Sequence, residues 1–236
     1  MIERSMKGDA KEASAAGMLL GKSAQEPHRG ESHGMCADVV AHEWLLKLID
    51  ELSEEQLFEL LGILGRLTAM EPSEATLKVL DGMVETFGLG IAEVGESTFE
   101  ERLLDARCDY VRLMVGEGEP LAPPWESVWV NSERSLFQKC TLDVRRRYAA
   151  AGVEVANKYH EPDDHIGYEM EFISMRCAGG EDGKSIAASF FADHLGTYAF
   201  DWCDAVFRHG RTPYYRVLAS VIACVLRRVQ QVLREE

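Results

Sequence analysis

At 236 residues with a formal net charge of −15 at pH 7, the chain is long enough to bury a sizeable core. It is too acidic to offer the phosphate-neutralising surface that nucleic acid or an anionic membrane requires. Six scattered cysteines, Cys36, Cys108, Cys140, Cys177, Cys203 and Cys224, include no C-x-x-C pair, which excludes a zinc knuckle or dithiol motif and fits a reducing cytoplasm.

Residues 1–36 mix Gly, Ser, Ala, Lys, Glu and His without a sustained period and read as a flexible tail ahead of a helical domain over 37–236. Met18-Leu19-Leu20 is the longest apolar run there that resembles an export h-region, so no export signal is expected. From Asp38 the residues Val39, Trp44, Leu45, Leu48 and Leu52 recur at helical steps. Ser53-Glu54-Glu55-Gln56 and Ser97-Thr98-Phe99-Glu100 have the form of capping boxes, and Pro72-Ser73 opens a helix that runs to Phe87 and stops at Gly88 and Gly90.

Helices are then expected from about Thr98 to Val115 and from about Glu133 to Ala151. Between them Gly116 to Asn131 carries three prolines and two tryptophans. That is too long for a plain connector, which makes it a candidate functional loop with Trp125 and Trp129 partly buried. A helix follows Pro162 to about Cys177, then a turn at Gly179-Gly180 and a helix from Lys184 to about Arg208. Pro213 opens the last helix, which spaces Tyr214, Leu218, Val221, Val225 and Val229 along one face and ends near Arg227, Arg228 and Arg234. Its run Val217 to Leu226 is interrupted by Ser220 and has about half the length of a membrane span, so no membrane insertion is expected. The nearest stretch to a strand, Glu126 to Val130, is too short to matter. The reading is an all-α single domain of about eight helices.

The densest chemistry lies at Glu161-Pro162-Asp163-Asp164-His165. Together with Glu169 and Glu171 it places five carboxylates within eleven residues containing no Lys or Arg. Such a segment suits a cationic partner, although an acidic first turn of a helix would look the same. Asp163, His165 and Glu169 are also a conceivable metal set, but neither Glu-x-x-His nor H-E-x-x-H occurs. There is no nucleophile elbow or phosphate loop; Gly183-Lys184-Ser185 reads as a turn before a helix, and Arg145-Arg146-Arg147 as an ion-paired helix face. His42, His194 and His209 lack ligand spacing and read as hydrogen-bonded residues. No cofactor is expected. An aromatic, proline-rich loop beside an acidic helix start suits capture of a peptide that is both cationic and apolar.

Tyr110-Val111-Arg112-Leu113-Met114-Val115-Gly116, then Ala122-Pro123-Pro124-Trp125-Glu126-Ser127-Val128-Trp129, then Glu161-Pro162-Asp163-Asp164-His165 resemble the TorD/DmsD family of cytoplasmic chaperones, in its DmsD-like branch. A weaker likeness extends to His194-Leu195-Gly196-Thr197-Tyr198. The resemblance implies an all-helical maturation chaperone, not an enzyme, that binds the twin-arginine leader of a molybdenum-cofactor oxidoreductase and delays export until the cofactor is loaded. It implies a leader-binding surface of Tyr110, Leu113, Met114, Pro123, Pro124, Trp125, Glu161, Asp163, Asp164 and His165. In that surface Asp164, with Glu161 or Asp163, would accept hydrogen bonds from the arginines and the aromatic and aliphatic members would receive the apolar segment, while a pH-sensitive release through His165 stays open, since a His beside carboxylates commonly has no such role. Met114 stands where the family usually has Phe, Glu117 where Pro is common, and Tyr198 where Trp is usual. Two other readings stay open: action on the mature catalytic subunit, as in the nitrate-reductase branch, and a metal-assisted hydrolase using Asp163, His165 and Glu169. Monomer and helix-swapped dimer are both compatible with the pattern.

Overall fold

The computed structural model describes residues 43–86, 97–116, 118–156 and 161–234. The expected tail over 1–36, the stop at Gly88 and Gly90, and Glu117 lie outside these residues. Behind helix α1 (Glu43–Asp50), a reciprocal capping box starts α2 (Glu54–Ala69): Ser53 accepts the Gln56 N–H at 3.3 Å and the Gln56 side chain accepts the Ser53 N–H at 2.9 Å. Ser73 accepts the Thr76 N–H at 3.2 Å ahead of α3 (Glu74–Thr86).

The second box sits one residue later than the sequence suggests. Thr98, not Ser97, caps α4 (Phe99–Tyr110), and Glu101, not Glu100, returns the bond to the Thr98 N–H at 2.8 Å. Both phases satisfy the S/T-x-x-E pattern. Further along this helix and its continuation Ala106, Asp109, Leu113 and Met114 are buried. Helix α4 widens into a π turn over Val111–Val115, ended by Gly116 at φ +69°, a left-handed conformation that glycine adopts without strain.

Glu126–Val130, the stretch nearest to a strand by pattern, is the short helix α5. Helix α6 (Lys139–Ala150) begins later than expected, because Arg134 and Phe137 take φ of 48° and 59° and break the helical path ahead of it. Next come α7 (Ile166–Cys177) and α8 (Glu181–Phe190), the latter joined through a second π turn, Phe191–Leu195, to α9 (Gly196–His209). The last helix, α10 (Pro213–Val232), begins with proline in its first turn. Its start is held from α4: the Asp109 carboxylate accepts the N–H groups of Arg211 and Thr212 at 2.8 and 2.9 Å.

The architecture is all-α, with no strand among the described residues. The α8–α9 run is unbroken, so among the described residues the ten helical segments form nine continuous runs against the eight or so expected. Tyr214, Leu218, Val221, Val225 and Val229 are all buried, as the spacing on α10 predicts. Helix α2 crosses α7 at backbone contact: a Cβ on Gly167 would stand 2.5 Å from the Gly65 carbonyl oxygen, and one on Gly65 2.6 Å from that of Gly167. That glycine crossing seats the start of α7, where the acidic segment ends. No described helix is long and apolar enough to cross a membrane.

Candidate peptide-binding site at the Trp125–His165 bridge

The proline-rich loop and the acidic segment meet as an isolated antiparallel bridge between Trp125 and His165. The Glu126 N–H donates to the Asp164 carbonyl at 2.9 Å and the Ile166 N–H to the Pro124 carbonyl at 2.8 Å. Asp164 also caps α5 from outside, its Oδ2 accepting the Ser127 N–H at 2.7 Å. The loop is pinned at three further points: the Ala122 N–H donates to Leu113 O at 2.8 Å, Trp202 Nε1 to Ala122 O at 3.2 Å and Trp129 Nε1 to Pro123 O at 2.7 Å. Trp125 and Trp129 are both part-buried, as expected.

His165 is the N-cap of α7. Its Nδ1 accepts the Gly167 N–H at 3.0 Å, and its ring meets Trp125 edge-on at 6.2 Å and Tyr168 at 4.9 Å. Burial pushes its pKa down to about 3. An Nδ1 that accepts carries no hydrogen, so the ring is neutral with its proton on Nε2, and the 3.9 Å approach of Glu161 to Nε2 is not an ion pair. The Glu161 carboxylate accepts instead from the Tyr168 hydroxyl at 2.6 Å. Asp163 is held by Arg145 through Nε at 2.8 Å and Nη2 at 2.5 Å.

Beneath the bridge runs a buried polar chain that the sequence does not reveal. Burial, then the charges of Glu126 and Asp164, raise the Glu169 carboxyl well above the usual range, so it holds its proton. Its Oε2 accepts from the Tyr198 hydroxyl at 3.2 Å, which gives tyrosine at this position a bond that tryptophan would not make the same way. Glu126 meets His194 Nδ1 at 3.0 Å, and His194 Nε2 meets Asp143 at 3.1 Å. Burial opposes a charged imidazole, but the Glu126 and Asp143 bonds outweigh it and the pKa of His194 is raised. Asp143 passes the chain to Arg147 at 3.2 Å, and Arg147 to Asp193 at 2.6 Å near the surface. The lone His194 is thus hydrogen-bonded, as read from its isolation. Glu126 and Asp143 escape sequence reasoning because they lie 68 and 51 positions from His194.

The predicted site residues separate into two groups. Leu113, Met114, Pro123, Pro124, Asp163, Asp164 and His165 are buried, while Tyr110, Trp125 and Glu161 are half-buried and reach solvent. Direct acceptance of arginine by Asp164 does not fit this arrangement, since its exposure is 0% and one carboxylate oxygen is committed to α5. Leu113 and Met114 likewise belong to the core rather than to a contact surface, and a neutral, buried His165 is poorly placed as a release switch near pH 7. Among the described residues no three His, Cys, Asp or Glu side chains are arranged to hold a metal ion, and the suggested set is engaged otherwise: Asp163 by Arg145, His165 by the Gly167 N–H, Glu169 by Tyr198. Arg145, Arg146 and Arg147 are ion-paired with Asp163, Asp143 and Asp193. Lys184 lies inside α8, not in a turn, and pairs with Glu54 at 2.7 Å.

An all-helical protein with a polar-braced loop junction is the class that this fold and site define. Residues 73–204 match the family model described as nitrate reductase delta subunit, more than half of the chain, and the protein belongs to that family. It is 27% identical over 136 residues to the Tat proofreading chaperone DmsD of Salmonella paratyphi A, covering 58% of this chain and 64% of that protein. The chaperone protein TorD of Photobacterium profundum is 23% identical over 146 residues, 61% of this chain and 62% of that one. The chain thus spans somewhat less than two thirds of the length of these relatives. Among solved structures, a putative redox enzyme maturation protein from Archaeoglobus fulgidus is 17% identical with a TM-score of 0.45, over 89% of this chain and 99% of that one.

Proposed function

We propose that this protein is a cytoplasmic chaperone that binds the twin-arginine leader of a molybdenum-cofactor oxidoreductase and holds back export while the enzyme matures. The observation that carries the reading is the solvent-reaching rim of Tyr110, Trp125 and Glu161 on a buried, hydrogen-bonded frame, in a chain similar to Tat proofreading chaperones. Glu161 accepts charge-assisted hydrogen bonds from the leader arginines, and Trp125 and Tyr110 give their ring faces to the guanidinium planes and flanking apolar residues. Burial and the charges of Glu161 and Glu71 hold the Tyr110 phenol above its usual pKa, so it stays a neutral donor.

Asp163, Asp164 and His165 serve this site as its frame, fixing the loop that presents Trp125. Partly exposed charge pairs contribute only about 0–1 kcal/mol each, so they orient the leader while apolar burial supplies most of the affinity. Ordering a flexible leader costs roughly 2–5 kcal/mol, which leaves binding moderate and releasable.

Calorimetric titration with a synthetic twin-arginine leader peptide, beside the same peptide with both arginines replaced by glutamine, tests the reading. Binding of the first that weakens at least tenfold in the second is the expected result, and no binding of either by the folded protein overturns it. The match to a nitrate reductase delta subunit family favours a second reading, action on the mature catalytic subunit. Retained binding of a client whose leader has been deleted would select it.

A further inference from the structure

The outer face of α4 and its π turn carries Leu104, Cys108, Val111 and Val115 in a 4-3-4 spacing, all exposed, with Leu104 at 62%, Val111 at 43% and Val115 at 52%. Single exposed aliphatics are ordinary. Four aligned apolar positions at the spacing by which one helix meets another form a seam without a partner among the described residues.

Charge around the seam identifies its occupant. Every arginine of the segment is engaged by its own chain: Arg102 by Asp81 at 2.7 and 2.8 Å, Arg107 by the Pro72 carbonyl at 2.8 Å, and Arg112 by Asp109 and the His209 carbonyl. Glu100 and Asp105, exposed beside the seam, form no ion pair within the described residues. The border is therefore acidic without compensation, which repels a second copy of a chain of net charge −15 and attracts a cationic apolar segment. Tyr110, half-buried at the candidate site's rim, is the residue directly before Val111, so the seam runs on from that rim. From position 104 to 115 the seam runs roughly 16 Å. That matches the helical length of a leader's apolar segment, typically about 7–15 residues.

We infer that the Leu104–Cys108–Val111–Val115 seam is the seat of the apolar segment of a twin-arginine leader, bound as a helix while its arginines engage Glu161. This rests on the leader-binding reading above, and it moves the apolar contact from the buried Leu113 and Met114 to the face beside them.

The test uses the full chain and a synthetic twin-arginine leader peptide. Replacing both Val111→Asn and Val115→Asn should weaken binding about tenfold or more, with the melting temperature unchanged because both side chains are already exposed. Independently of how that variant folds, a leader peptide carrying one cysteine in its apolar segment should form a disulfide with Cys108 of the otherwise unaltered chain under mild oxidation, and a Cys108→Ser chain should lose that product. If the unaltered chain binds the leader but the double variant binds equally well and Cys108 captures nothing, the seam assignment fails while the function stands. If the variant changes the oligomeric state and not leader affinity, the seam belongs to self-association and the inference is overturned. If the unaltered chain binds no leader, both readings fall together.

Discussion

Asp164 and Glu161 stand three residues apart in one acidic segment, yet Asp164 has no exposed surface while the Glu161 side chain keeps 30% of its own. Asp164 is committed to the start of α5, whereas Glu161 accepts one hydroxyl and faces solvent. The same division holds on the partner loop, where Pro124 is buried and Trp125 is not fully so. One short acidic segment therefore holds both a buried carboxylate and a solvent-facing one. Loss of binding on mutation cannot by itself say which of the two has been touched, and stability measured beside binding can.

The largest effect is expected at the frame. Asp164→Ala leaves the Ser127 N–H buried without its acceptor and should cost roughly 3 kcal/mol in urea denaturation. A cost under about 0.5 kcal/mol would move Asp164 to the rim.

His165 sharpens the comparison through pH. Its unfolded value is 6.5 and burial takes the folded one to about 3, so between these the unfolded chain binds the extra proton and stability falls as pH drops through that window. The loss should reach about 2 kcal/mol by pH 5. His165→Asn, which keeps a capping acceptor, should flatten this slope, and an unchanged slope between pH 6.5 and 4 would show that His165 is not buried neutral.

Arg145→Ala breaks the pair to the nearly buried Asp163. Because the Arg145 side chain is 31% exposed, the expected cost is about 1–2 kcal/mol rather than the full value for an interior pair. The smallest change in stability belongs to the rim: Glu161→Gln keeps an acceptor for the Tyr168 hydroxyl and should shift unfolding by about 0.5 kcal/mol or less while weakening leader binding severalfold. A large stability loss with unchanged affinity would reverse the roles assigned to Glu161 and Asp164.

Much of the helix list was legible because capping chemistry and apolar period are local. Ser53 with Gln56, Pro213 at the head of α10 and the buried stripe behind it all follow from neighbours within a few positions. The misses occurred where local signals were degenerate. Ser97 and Thr98 offer equivalent capping boxes, and the structure uses the one at Thr98. The helix expected from about Glu133 would run through residues whose backbone turns left-handed at Arg134 and Phe137, so α6 starts only at Lys139. Neither π turn alters the apolar period enough to announce itself.

By itself the sequence determined the helical class, the two segments that meet at the bridge, the strongly acidic net charge, and the family likeness, because each depends on residue identity or short-range order. Only the tertiary structure decided that Leu113, Met114, Asp164 and His165 face inward and Tyr110, Trp125 and Glu161 outward, and that Glu126, His194 and Asp143 join into one chain. Solvent access is set by what packs over a side chain. Here that is the Gly65–Gly167 crossing of α2 on α7 and the Trp125–His165 bridge, both made by residues far apart along the chain.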